Sequence, residues 1–134
     1  PGTYGNVVGV IDAVVSATVV VVRREYSRTA GQTQVITGDG AITIKSGTVF
    51  LTKGSAAAIT LAAPTATVDD GKRLLIVSTT AQAHTVTQTT PGINNGSTAS
   101  DVGTFGAAIG NSIELVAYQG AWFTVGTPRG VTLA

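Results

Sequence analysis

The stretch SIELVAYQGAWFTV, residues 112–125, decides the fold class of this chain. Two runs rich in β-branched and aromatic residues flank the pair Gln119-Gly120. A two-residue connection that ends in glycine between such runs is typical of a tight β-hairpin. We therefore predict strands at residues 112–118 and 121–125, joined by this turn.

Short strand-like segments continue upstream of the hairpin at a spacing of about ten residues, which favours an all-β sandwich or barrel. Residues 73–78 form a continuous apolar run, as expected of a strand covered on both faces, whereas residues 88–100 form a polar loop. No segment shows a convincing helical period. The further predicted strands are residues 41–44, 48–52, 58–61, 73–78 and 83–87. We predict a small antiparallel β-sandwich or β-barrel with an extended N-terminal arm.

The chain divides by composition and hydropathy into an arm, residues 1–30, and a β module, residues 31–134. Residues 7–22 are rich in valine, but the stretch is interrupted by polar residues and falls short of the roughly 20 apolar residues of a membrane helix. An exposed valine-rich strand aggregates unless it is paired, so we predict that the arm binds another protein chain. The predicted partner-binding residues are Val7, Val8, Val10, Ile11, Val14, Val15, Val19, Val20, Val21, Val22, Arg23, Arg24 and Arg28.

The amino-acid composition argues against an enzyme. Charged residues make up 11% of the chain, against roughly a quarter in ordinary domains, and there is no Cys, no Met and one His. The net charge of +1 does not suit binding to nucleic acid, so Arg23, Arg24 and Arg28 are expected to contact a protein partner. We predict a structural or binding protein that is not an enzyme, with no cofactor, no metal, no small-molecule substrate and no membrane partner.

Three further features of the sequence are candidate sites. His84 is the one imidazole, and a lone histidine in a threonine-rich strand is expected at a surface or interface, so His84→Ala should leave function unchanged. Asp69-Asp70 precedes Gly71, which favours an exposed turn over a cation site. Tyr118, Trp122 and Phe123 are expected in the core; the alternative is an exposed aromatic platform for carbohydrate or protein.

The order of several segments resembles modules of tailed-bacteriophage virion proteins. These segments are ITI (42–44), GTVFLTK (47–53), AITLAAP (58–64), DGKRLLIVSTT (70–80) and residues 105–122, and the resemblance covers roughly residues 38–125. Such modules occur in head decoration proteins, head fibres and tail-fibre parts. The resemblance implies a β-rich, often trimeric module on a virion surface.

From the residues and the resemblance together we expect a capsid decoration, or cement, protein. It would bind the major capsid protein on the outer surface of the head as a homotrimer and stabilise contacts between capsid subunits. The alternative is a head-fibre or tail-fibre adhesion module for a host glycan or receptor, with an aromatic pocket around Tyr118 and Trp122. A small hydrolase would instead place His84 beside a serine or an acid.

Overall fold

The computed structural model describes residues 32–96 and 100–134. The predicted arm and its contact residues lie outside these ranges. Gln32–Ala134 form one compact unit.

The described residues form ten strands and one short 3-10 turn, Ile93–Asn95, without an α-helix. The strands are β1 (Thr33–Ile36), β2 (Gly40–Ile42), β3 (Gly47–Leu51), β4 (Ala58–Leu61), β5 (Arg73–Ser78), β6 (Thr85–Thr87), β7 (Val102–Phe105), β8 (Ser112–Tyr118), β9 (Ala121–Thr124) and β10 (Val131–Leu133). The predicted all-β fold is confirmed.

Two five-stranded sheets pack as a sandwich. Sheet one has the order β9-β8-β5-β3-β1, and sheet two has the order β10-β7-β6-β4-β2. The first six strands alternate between the sheets, so each pair β1–β2, β3–β4 and β5–β6 forms one turn of a flattened coil.

This coiling makes both sheets mixed. Successive strands of one sheet within the coil run in the same direction, which gives the parallel pairs β1·β3, β3·β5, β2·β4 and β4·β6. The last four strands complete both sheets with antiparallel pairs. The sandwich was predicted correctly, but the antiparallel arrangement applies only to this C-terminal part.

The core lies between the sheets, on the alternate residues of each strand that point inwards. Its largest fully buried side chains include Trp122 and Phe105. The Trp122 Nε1–H donates a hydrogen bond to the Ala62 carbonyl at 3.0 Å, so the polar atom of the indole is satisfied inside the core.

The hairpin that decided the fold class is present as β8 and β9, with Tyr118 opposite Ala121. Gln119 (φ 48°) and Gly120 (φ 85°) both have positive φ, as a type I′ turn requires. The right-handed twist of the two strands is matched by this turn, so the pair Gln119-Gly120 sets the register of β8 and β9.

Strand β5 differs from the predicted double-sided burial. Leu74 and Ile76 are fully buried in the core, whereas Leu75 and Val77 on the other side of the strand are half-buried. Sheet one is covered by sheet two on one face, and its other face retains these apolar residues. Among the described residues, no second layer covers this side of the strand, so the continuous apolar run supplies one buried side and one apolar outer side.

Candidate interaction surface

His84 is fully buried, so the prediction of a surface or interface histidine is wrong. Its Nδ1 atom accepts a hydrogen bond from the Ala57 N–H at 3.1 Å. Because Nδ1 is the acceptor, the ring proton lies on Nε2 and is directed at Thr80 Oγ1, 2.9 Å away. The Thr80 hydroxyl in turn donates to the Lys53 carbonyl at 2.9 Å. His84 thus joins the β3–β4 and β5–β6 connections.

The surroundings of His84 favour its neutral form. Burial, and then the positive charge of Lys53, hold the pKa of the His84 imidazole below its usual value. In a nucleophilic triad the second ring nitrogen is oriented by a carboxylate, but here that nitrogen is bonded to a backbone amide. This geometry supports a structural role for the ring.

Asp69 lies within a turn, as predicted, but it is 4% exposed rather than open to solvent. Its Oδ1 atom accepts from Lys72 Nζ at 2.8 Å, and its Oδ2 atom accepts from the Thr65 N–H at 2.6 Å. Lys45 Nζ lies 3.6 Å from Oδ2. The Lys72 hydrogen bond, followed by the Thr65 amide, lowers the pKa of the Asp69 carboxyl to about 2. Asp69 is a buried anchor for two lysines.

Asp70 points to a different part of the molecule. Its Oδ1 atom accepts from the Gln119 N–H at 2.7 Å and from the Thr67 N–H at 3.1 Å, and its Oδ2 atom accepts from Gln119 Nε2 at 2.6 Å. The two adjacent aspartates therefore do not converge on one site. Among residues 32–96 and 100–134, no three carboxylate or imidazole side chains are grouped as metal ligands would be.

The aromatic residues of the hairpin separate. Trp122 is fully buried, as predicted, whereas Tyr118 is 61% exposed and Phe123 is half-buried. Tyr118 lies opposite Ala121 in the register, so its side chain is on the other face of the sheet from Trp122. The two do not form the pocket expected of an adhesin, and the described ranges contain no detectable cavity.

The outer side of sheet one carries a group of apolar side chains, which we call the apolar face. Val35, Phe50 and Val77 lie in one row across β1, β3 and β5, and Val35 is 53% exposed. Val116 and Phe123 lie in another row, opposite each other on β8 and β9. The members of the apolar face are Val35, Phe50, Leu75, Val77, Val116 and Phe123.

The outer side of sheet two carries several threonine side chains in register, and we call it the threonine face. Thr85, Thr104 and Thr132 lie in register across β6, β7 and β10, and Thr60 lies opposite Thr87. Hydroxyl-bearing side chains suit a solvated sheet surface. Since apolar patches on a protein surface can mark sites of interaction, the apolar face is the candidate interaction surface among the described residues.

The two edges of sheet one also differ. At β9, the Thr124 N–H donates to Asn94 Oδ1 at 2.8 Å, so the loop before β7 covers this edge. At β1, the carbonyls of Gln32 and Ile36 accept from Thr48 and Thr52 on the β3 side. The backbone groups of Thr33 and Val35 consequently point away from β3, towards an edge that pairs with no other described strand.

A scan of protein-family models, a search of curated proteins and a search of solved structures found no match to this chain. Within the described residues, no helix has the length and apolar character of a membrane span. The candidate site is therefore defined by geometry alone: the apolar face together with the β1 edge, which pairs with no other strand of the described residues. Sequence reasoning missed this surface, although the apolar run at residues 73–78 was its signal.

Proposed function

We propose that this protein is a non-enzymatic capsid decoration protein of a tailed bacteriophage. It binds the major capsid protein on the outer surface of the head, as a homotrimer, and stabilises contacts between capsid subunits. The observation that carries the proposal is the apolar face on one side of the sandwich, bounded by the β1 edge that no other described strand pairs. A surface of this kind suits attachment to other proteins.

The positions of the polar groups also support binding rather than chemistry. The His84 imidazole, which a hydrolase would need at its surface, is fully buried and bonded to Ala57 and Thr80. The carboxylates of Asp69 and Asp70 are occupied by lysines and backbone amides. These groups stabilise turns of the sandwich, and the free energy of attachment comes from buried area and strand pairing.

In this proposal the two parts of the chain have separate tasks. The arm, residues 1–30, supplies an extended strand that adds to a sheet edge of the capsid or of a neighbouring copy. The β module supplies the contacts within the trimer. The threonine face remains towards solvent.

The experiment is a comparison of the full chain with a chain lacking residues 1–22, in pelleting with undecorated heads. The truncated chain should keep its fold, measured by its circular dichroism and thermal midpoint, and should lose capsid binding. A second control, a full chain with Thr60→Lys and Thr104→Lys on the threonine face, should bind as the wild type does. Undiminished binding by the truncated chain would contradict the proposal.

The adhesion alternative requires an aromatic-lined pocket around Tyr118 and Trp122. Trp122 is in the core and Tyr118 is on the opposite side of the sheet, so the geometry supports the adhesion alternative less well than the decoration proposal. Binding of the purified protein to host glycans, if Tyr118→Ala reduces it, would support the adhesion alternative.

A further inference from the structure

We infer that Asn95 is a site of spontaneous modification, at which the folded protein converts its own asparagine into isoaspartate or aspartate. Asparagine is among the chemically labile residues of proteins. The reaction consumes water and needs no enzyme and no protein partner, so it is independent of the decoration role. Its place is the turn of residues 92–96, which lies between β6 and β7 and carries the side chain that covers the β9 edge.

The reaction takes place between the side chain of Asn95 and the backbone nitrogen of Gly96. This nitrogen attacks Cγ of Asn95, loses its proton and closes a succinimide ring, while the bond from Cγ to Nδ2 breaks and ammonia leaves. Water then opens the ring at one of its two carbonyl groups, which gives either isoaspartate or aspartate. In sum, one amide and one water become one carboxylate and one ammonium ion. A side chain on the residue after asparagine hinders the attack, and glycine has none.

The surroundings of the asparagines favour Asn95. Of the four asparagines in the chain, only Asn95 precedes a glycine, and its side chain is exposed. The neighbouring Asn94 is held by strand β9, because its Oδ1 atom accepts from the Thr124 N–H at 2.8 Å. Asn111 is buried, and its Nδ2 atom donates to the Gly106 carbonyl at 2.7 Å. The reaction is therefore directed to one position among the described residues.

The geometry of the turn explains why this labile pair occurs here. Asn94 and Asn95 have φ values of 60° and 56°, a backbone conformation in which asparagine is enriched among the residues other than glycine. At the next position, a Cβ atom on Gly96 would lie 2.9 Å from Cβ of Ser100. The close approach of the loop thus requires glycine directly after a position that suits asparagine, and a bulkier, protective residue does not fit.

The same turn sets the rate of the reaction. The Gly96 N–H donates to the Ile93 carbonyl at 3.1 Å, so the attacking nitrogen must leave this hydrogen bond before it reaches Cγ. The bond belongs to a single 3-10 turn, Ile93–Asn95, and short exposed turns open locally at low cost. We therefore expect conversion in the folded protein, at a rate below that of the unfolded chain.

Conversion to isoaspartate affects the cover of the β9 edge. Isoaspartate places one additional carbon in the backbone directly after Asn94, whose Oδ1 atom accepts from the N–H and the hydroxyl of Thr124 at 2.8 and 3.2 Å. The longer backbone no longer fits the hydrogen bond between Ile93 and Gly96. We expect the Thr124 N–H to lose its partner and strand β9, which carries the core residue Trp122, to loosen. Aspartate adds the same charge and leaves the length of the backbone unchanged.

The first test incubates the purified full chain in native buffer at pH 7.5 and follows each asparagine by peptide mass spectrometry. The amide should be lost at Asn95 while Asn94 and Asn111 keep theirs over the same period. In urea, which opens the turn, the loss at Asn95 should be faster. An Asn95 that stays intact in the folded chain, or an earlier loss at Asn94 or Asn111, would overturn the inference.

The second test measures the consequence for β9. Wild-type protein that has been incubated should have a lower thermal midpoint than fresh protein, whereas Asn95→Gly, which suits the positive φ, should keep its midpoint. The isoaspartate form, separated by chromatography, should lose hydrogen-exchange protection at the Thr124 amide. Asn95→Asp is the matched control and should retain that protection. Equal protection in the isoaspartate form and in fresh wild type would refute the link between the modification and the β9 edge.

Discussion

The Nδ1 atom of His84 accepts the Ala57 N–H at 3.1 Å, and the ring that carries it is fully buried. This bond exists only while the imidazole is neutral, because a protonated ring has no acceptor nitrogen. Two connections between the sheets therefore depend on the protonation state of one side chain.

The first prediction concerns pH and His84. The folded-state pKa of His84 lies below the unfolded value of 6.5, so the unfolded chain binds the proton more readily. The free energy of unfolding should be maintained above about pH 6.5 and should fall as the pH drops below that value. Urea unfolding at pH 7.5, 6.5, 5.5 and 5.0 measures this change.

The variant His84→Ala is the control for this pH dependence. It leaves the buried Ala57 N–H without its partner, so we expect a loss of about 1–3 kcal/mol at pH 7.5. The fall between pH 6.5 and 5.0 should be absent from the variant. An equal fall in both proteins would assign it to other groups. Where the variant stays folded, we still expect capsid binding to be unchanged.

The second prediction concerns Asp69 at lower pH. Its pKa is lowered to about 2 from 3.8, so its charged form stabilises the fold above about pH 4. That contribution should be lost as the pH falls from about 4 towards 2. Asp69→Asn should lower the thermal midpoint at pH 6, and the difference from wild type should shrink at pH 3 and below.

The comparison with the variant isolates Asp69 from other carboxylates. Asp39, whose pKa is also lowered by the hydrogen bond from Lys53, is present in both proteins, so its contribution cancels in the difference between them. A difference between wild type and Asp69→Asn that stays constant from pH 6 to pH 2 would show that the ion pairs with Lys72 and Lys45 contribute little.

The third prediction concerns Gly47, at the start of β3. Its φ is 106°, and a Cβ atom there would overlap the backbone of Gln32 on the neighbouring coil turn. Gly47→Ala should therefore cost at least about 1–3 kcal/mol in unfolding free energy. Gly54→Ala is the control, since a Cβ there meets no atom within 4 Å. Equal stability of the two variants would count against the close approach of β1 and β3.

The fourth prediction concerns salt. The proposed attachment relies on apolar burial and strand pairing, which salt does not screen, whereas exposed charge pairs are screened beyond about 10 Å at 0.1 M. Decorated heads should retain the protein at about 1 M NaCl, as measured by pelleting across a salt series. Release at moderate salt, reproduced at low salt by Arg23→Ala with Arg24→Ala, would assign attachment to the basic cluster.

The sequence was sufficient for the strands whose signals are local. Residues 58–61, 73–78 and 112–118 were predicted with the bounds that the structure has, because their runs end at clear turn residues. The strands Thr33–Ile36, Val102–Phe105 and Val131–Leu133 were missed. Each is four residues long or shorter and is held by pairing with a strand distant in the chain, which a local pattern does not record.

The candidate surface could not be predicted from the sequence, for a related reason. Whether Leu75 and Val77 face a second layer or an outer surface depends on where the neighbouring strands lie. The parallel coil arises from strands that cross between sheets, and local patterns resemble those of an antiparallel sandwich. Likewise, no residue near His84 in the sequence indicates that the Ala57 N–H donates a hydrogen bond to its ring.

The flattened coil of β1 to β6 has no intrinsic length. Each turn places one strand on each sheet beside the strand before it, and the register of one turn does not depend on how many turns precede it. At the C-terminal end, β7 to β10 cap the stack. One more coil turn of the same kind would add a strand to each sheet in parallel register, so a sandwich of this type can change its length in steps of one coil turn.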